Sequence, residues 1–151
     1  MKKVLILSSL LLLLINLNMN GRRVKPIPQD ILDGKYTLIN IWDGEKMINT
    51  KAKKSNILIN SKTTSISANF GCNNMSGEIH PMGYLLMPIN MVSTEMYCSE
   101  SINSLESLFG RQIATVNHFS KENNIVKFYQ QEQVVIEMKK IVPIKNKKKK
   151  K

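Results

Sequence analysis

The alternation of apolar and polar residues predicts β-strands along most of the chain after residue 34. This pattern occurs in residues 35–42, 56–60, 64–70, 84–91, 115–119, 124–130 and 133–141. In the first of these strands, Tyr36 and Leu38 are expected on one face, with Ile39 and Ile41 on the other. Pro88 has no backbone N–H to donate, so its strand is expected to be interrupted or to lie at a sheet edge.

A single segment, residues 99–114, has apolar residues at helical spacing, namely Ile102, Leu105, Phe109 and Ile113. Either Ser99 or Ser101 can cap its start, and Gly110 weakens the predicted helix by about 1 kcal/mol relative to alanine. Most connections between the predicted strands are short, as in antiparallel hairpins. The sequence therefore predicts an α+β fold, in which a mainly antiparallel β-sheet of short strands packs around one amphipathic helix.

Both ends of the chain differ in composition from this predicted domain. Residues 1–20 begin with a basic pair and continue with an apolar run, which is shorter than the roughly 20 residues that span a bilayer. This pattern predicts a signal peptide and export to the periplasm or the medium, and an uncleaved anchor in the inner membrane is the alternative. Residues 21–31 are predicted to be a linker, residues 32–142 the domain, and residues 143–151 a disordered lysine-rich tail.

The formal net charge of +11 is concentrated at the two ends. Two lysines at the start and six in the tail account for eight of these charges and leave +3 for the rest of the chain. The tail has no aromatic residues that could stack on bases, so specific nucleic-acid binding is not expected. Weak electrostatic contact of the tail with anionic surfaces is expected instead.

Few residues suggest a reaction. Cys72 and Cys98 are the only cysteines, and in an exported chain they are predicted to form one disulfide; two buried thiols are the alternative in a reducing compartment. Together with His80 and His118 they do not show the ordered spacing of a zinc site. Several of the nine methionines lie in residues 75–96, where filling a core is favoured over binding a soft metal ion. No catalytic residue, metal or cofactor is predicted.

Two short motifs surround the cysteines: Gly71-Cys72-Asn73 followed by Gly77, and Thr94-Glu95-Met96-Tyr97-Cys98. They resemble the GCN…G and Thr-x-Met-x-Cys motifs of the META domain family, which includes the heat-shock protein HslJ. A helix carrying Glu106 and Phe109 and a final hairpin extend the resemblance over about residues 32–140. The chain departs from the family pattern at Tyr36, where tryptophan is usual, and at Ile79, where an aromatic residue is frequent.

The residue types of the two motifs are those that stabilise turns. Glycine tolerates positive φ and close backbone approach, and asparagine and threonine side chains satisfy local backbone groups. The residues interpreted as structural rather than catalytic are Gly71, Asn73, Gly77, Thr94 and Met96.

The resemblance implies a non-enzymatic binding module of the cell envelope, associated with stress, whose partner is an unknown protein or envelope component. The protein is expected to be a monomer. The first alternative is an exported inhibitor or partner-binding protein, for which residues 78–84 are the candidate rigid, exposed loop. The second is a small hydrolase, which would place His80 or His118 beside a nucleophile.

Overall fold

The computed structural model describes residues 27–50 and 54–142, which form β-strands and two helical segments. A 3-10 helix (Gln29–Leu32) precedes the sheet, and the α-helix α1 (Glu100–Ile113) separates the sixth strand from the seventh. The strands are β1 (Gly34–Trp42), β2 (Met47–Asn49), β3 (Asn56–Asn60), β4 (Ser65–Asn69), β5 (Asn74–Met82), β6 (Leu85–Ser93), β7 (His118–Glu122), β8 (Ile125–Gln130) and β9 (Gln133–Lys140).

Antiparallel pairings join these strands into a ring. Each strand from β3 to β8 pairs with the next in sequence, and β1 lies between β3 and β9. β2 continues the ring beside the second half of β1. The link between β6 and β7 is the narrowest, because Leu85 and His118 are the only register partners there among the described residues. The predicted α+β class, mainly antiparallel with one helix, is confirmed, whereas packing of the sheet around the helix stays a prediction.

The helix and the strands share one apolar core. From α1, Leu105, Leu108, Phe109 and Ile113 belong to the same buried cluster as the inward-facing residues of the strands. The ring of Phe109 lies 4.9 Å from that of Phe70, which directly follows β4. The helix stripe predicted from the sequence is therefore the buried face, although its first member, Ile102, is only half-buried.

Gly110 lets the helix approach the sheet. A Cβ atom at this position would lie 2.9 Å from the terminal methyl group of Met75 on β5, closer than side chains normally approach. A larger residue at position 110 would therefore require the Met75 side chain to shift. Ser99 occupies the N-cap position, but its side chain makes no capping hydrogen bond.

A β-bulge in β1 contradicts the predicted separation of its faces. The register with β9 shifts between Leu38 and Asn40, and such a shift reverses the alternation of side chains. As a result Tyr36, Leu38 and Ile41 are all fully buried, and Ile39 is nearly so.

Residues 78–84 do not form the predicted exposed loop. His80 and Pro81 belong to β5, which pairs with β6 along most of its length, and only two residues separate these strands. The backbone N–H of Ile79 donates to Thr64 and that of Leu86 to Asn117, so by strand alternation the nitrogens of Pro81 and Pro88 also point away from the β5–β6 ladder. Each proline lies where no neighbouring strand needs its N–H, which is how the strands tolerate both.

Candidate functional site

A disulfide fixes the start of the helix to the sheet. Cys72 lies in the bend between β4 and β5, Cys98 lies two residues before α1, and the two are bonded with a Cα–Cα distance of 6.2 Å. The predicted pairing is confirmed.

The side chain of Asn73 organises the residues around this disulfide. Its Nδ2 donates to the carboxylate of Glu106 at 2.8 Å and to the carbonyl oxygen of Met96 at 3.1 Å. Its Oδ1 accepts from the hydroxyl of Thr94 at 2.9 Å and from the backbone N–H of Met96 at 2.7 Å. Asn73 is 8% exposed, so four hydrogen bonds satisfy an amide that is almost removed from water. Three elements therefore meet at one side chain: the β4–β5 bend, the segment after β6, and α1.

Glu106 is the member of this cluster whose role the sequence interpretation missed. It lies in the middle of α1, is 5% exposed, and its second oxygen accepts from the backbone N–H of Asn73 at 2.8 Å. Among the described residues it makes no ion pair. The sequence could have indicated this role through helical spacing: Glu106 lies four residues after Ile102 and seven before Ile113, which puts its carboxylate on the apolar face.

The two motif glycines have different backbone roles. Gly71 has φ of +111°, a conformation that other residues rarely adopt, and its N–H donates to the side chain of Asn69. Gly77 lies opposite a bulge in β6, where Asn90 has φ of 53°. A Cβ atom at Gly77 would lie 3.0 Å from the carbonyl oxygen of Ile89, so only glycine fits without displacing β6.

A groove of about 370 Å³ opens beside the Asn73 cluster, between the end of β6 and α1. Its wall includes Ser93, Glu95 and Met96 on one side and Asn103, Ser107 and Gly110 on the other. Glu106 also lines it, so two acidic residues border the groove, and its described lining contains no basic side chain.

The outer face of the β5–β6 hairpin is the second notable surface. Met82, Leu85, Met87, Ile89 and Val92 are each at least 42% exposed, and they alternate with residues that face the core. Beside them, the carboxylate of Glu78 accepts from the amide of Asn90 at 3.0 Å and contacts the His80 ring at 3.1 Å. Hydrogen bonding, first from Asn90 and then from His80, lowers the pKa of Glu78 below its usual value.

The histidines do not meet the cysteines. His80 contacts Glu78 on the hairpin, whereas the ring of His118 stacks on Tyr129 with a centroid distance of 4.7 Å and contacts Asn117. Both sulfur atoms are in the disulfide, so neither is a free nucleophile. Within residues 27–50 and 54–142, no group of three or more histidine, cysteine, aspartate or glutamate residues is arranged to hold a metal ion.

Comparison with protein families agrees with the motif resemblance. The META domain model matches residues 29–141, which is most of the chain, and the protein therefore belongs to the META domain family. Searches of curated proteins and of solved structures returned no match.

Proposed function

We propose that this META domain protein is exported, acts without catalysis, and binds a protein or another component of the cell envelope through the outer face of its β5–β6 hairpin. A role in stress is part of the proposal and follows from the family resemblance alone. The tail adds weak electrostatic contact with anionic surfaces.

One observation carries the binding proposal: of the twelve large hydrophobic residues that are exposed in the described part of the chain, eight fall within residues 82–97. Single exposed apolar residues are normal, whereas a contiguous group of them typically marks an interaction surface. Six of these eight lie on the β5–β6 hairpin, whose paired strands hold their side chains in place before a partner arrives. This limits the conformational entropy that binding would remove.

Export is supported by two observations. The disulfide between Cys72 and Cys98 is of the kind that persists in oxidising compartments, and residues 1–20 have the composition of a signal peptide. Of the helices in the described part of the chain, none is both long and apolar enough to cross a membrane.

The inhibitor alternative takes a different form from that expected. Because residues 78–82 are a paired strand, an inhibitor would present the hairpin tip, where Tyr84 is 57% exposed and packs against Phe119. A hydrolase is supported less well, since the described contacts of His80 and His118 include no serine, threonine or cysteine.

Capture of partners from envelope extract, followed by mass spectrometry, tests the proposal when three baits are compared. The native protein should retain a partner that the variant Met87→Asp/Ile89→Asp loses. Leu58→Asp, which places one such charge on an exposed residue of β3, should behave as the native protein does. Circular dichroism would establish that all three are folded. The proposal would be contradicted if all three baits retained a partner equally. It would also be contradicted if the protein were found in the cytoplasm with residues 1–20 intact.

A further inference from the structure

The outward edge of β6 lacks a neighbouring strand over most of its length. Leu86 donates to Asn117 at 2.9 Å on this side, and beyond it the described residues add no backbone hydrogen bond to the edge of residues 87–93. Pro88 removes one donor, but the outward-directed carbonyl groups and the remaining outward-directed N–H groups of this edge have no backbone partner among the described residues. The groove between β6 and α1 adjoins the end of the same edge.

The residues around the β6 edge differ in charge from the rest of the chain. Residues 63–110 contain four glutamates and no lysine or arginine, although the chain has 22 basic residues. Glu95 is exposed at the groove, and Glu106 lines its base. The only histidine in these residues, His80, already contacts Glu78. The edge therefore lies in an acidic stretch of the chain.

This charge distribution argues against two of the possible occupants. A second copy that paired edge to edge would bring like carboxylates together, which is unfavourable. An anionic membrane would meet apolar side chains and glutamates without the basic residues that attract it. A basic segment would instead find complementary charge, and complementary charge also raises the rate of encounter.

We propose that the β6 edge binds an extended peptide segment with alternating apolar and basic side chains, added as an antiparallel or parallel strand. Its backbone would pair with the free groups of residues 87–93. Its apolar side chains would continue the outer stripe of Leu85, Met87 and Ile89, and its basic side chains would face the groove with Glu95 and Glu106. This inference rests on the proposed binding function and specifies the chemistry of the partner.

Fluorescence anisotropy with labelled eight-residue peptides tests the inference on the purified protein. The probes are a Lys-Val repeat, a Glu-Val repeat, and a Lys-Val repeat whose alternate amides are N-methylated. The first should bind and slow hydrogen exchange in residues 87–93. The second should show no measurable binding, and the third should bind at least about tenfold more weakly because it cannot complete the ladder.

A matched pair of charge reversals locates the site. Glu95→Lys should weaken binding of the Lys-Val peptide about five- to tenfold, from the loss of one exposed ion pair and the added repulsion. Glu132→Lys, an equally exposed change in the β8–β9 turn, should leave binding unchanged.

Several results would overturn the inference: equal binding of the Lys-Val and Glu-Val peptides, no effect of N-methylation, or equal effects of the two charge reversals. A peptide-free dimer that Glu95→Lys dissociates would assign the edge to a second copy, and binding to phosphatidylglycerol vesicles through the same residues would assign it to a membrane. If Met87→Asp/Ile89→Asp still abolished partner capture while no peptide bound, the proposed function would stand and the peptide class would be wrong.

Discussion

Replacing Asn73 with alanine is expected to lower the free energy of unfolding by about 3–4 kcal/mol, an unusually large effect for one polar residue. The change removes four hydrogen bonds, each worth about 1 kcal/mol net. It also leaves the buried carboxylate of Glu106 with only the backbone N–H of residue 73 as a described partner. Because Glu106 lines the groove, water can replace part of what is lost, which keeps the estimate below the roughly 5 kcal/mol reached by fully enclosed charges.

Urea unfolding of the oxidised protein, followed by the fluorescence of Trp42, would measure this free energy by linear extrapolation. Combining Asn73→Ala with Glu106→Gln in a double-mutant cycle should give a coupling energy of about 1–3 kcal/mol. As a control, Asn124→Ala removes an exposed asparagine from the β7–β8 turn and should change stability by less than about 0.5 kcal/mol. If Asn73→Ala were no more destabilising than this control, or if the two cluster substitutions were additive, the cluster would not hold the helix to the sheet as described.

Three further predictions concern other parts of the domain. Replacing Cys72 and Cys98 by serine should lower stability by about 3–4 kcal/mol, since the bond closes a loop with a sequence separation of 26. Gly77→Ala should lower it by about 1–3 kcal/mol in the same urea assay, because the added methyl group would press on β6. Burial, with a smaller contribution from Asp33, raises the pKa of Tyr36 to about 12. The Tyr36 phenol therefore ionises at a higher pH in the folded protein than in the unfolded chain. As a result, the free energy of unfolding is unaffected below pH of about 10 and falls by on the order of 2–3 kcal/mol as the pH rises to about 12.

Each of these has its own check. Intact mass after alkylation without reductant should show no modified thiol, and two modified thiols would refute the disulfide. Ser76→Ala, an exposed neighbour of Gly77 on the same strand, should be nearly neutral, and an equal loss at both positions would refute the close contact. In a spectrophotometric titration, Tyr36→Phe should remove the phase of tyrosine ionisation near pH 12. If Tyr36→Phe instead removed a phase near pH 10, burial would not raise the pKa of Tyr36 as described.

The sequence predicted the elements that depend on local pattern. The apolar stripe of α1 and the strand alternation in residues 64–70 correspond to buried faces, because these elements are regular. The alternation of apolar and polar residues predicted the wrong face where the register between two strands shifts. Bulges in β1 and β9 each bury a residue that simple alternation would place on the other face, and a bulge is set by pairing with a distant strand rather than by neighbouring residues.

Tertiary context also decided what the motif residues do. Local propensity identified Asn73 as a turn residue, yet its side chain bonds to Glu106, 33 positions later in the chain. Gly77 reads as a turn glycine but lies inside a strand, where the nearby backbone of β6 excludes a side chain. The sequence did not predict β5, because residues 78–84 were interpreted as an exposed loop. β4 pairs with β5 only as far as Glu78, so the missing N–H of Pro81 leaves no neighbouring strand without a donor.

The pairing of β1 with β9 determines which end of the domain would face away from an attachment point. Tyr36 pairs with Lys140, and the side chain of Lys140 donates to the carbonyl oxygen of Asp33, so the chain enters and leaves the sheet at one end. The antiparallel register from β3 to β5 puts the β4–β5 bend, with its disulfide, at the opposite end. A tether joined to the chain close to the start of β1 or the end of β9, whether a lipid, a surface or a fused protein, would therefore leave the disulfide and the adjacent groove at the far end of the domain. A display or immobilisation experiment should attach the protein by its termini and keep labels away from residues 70–98.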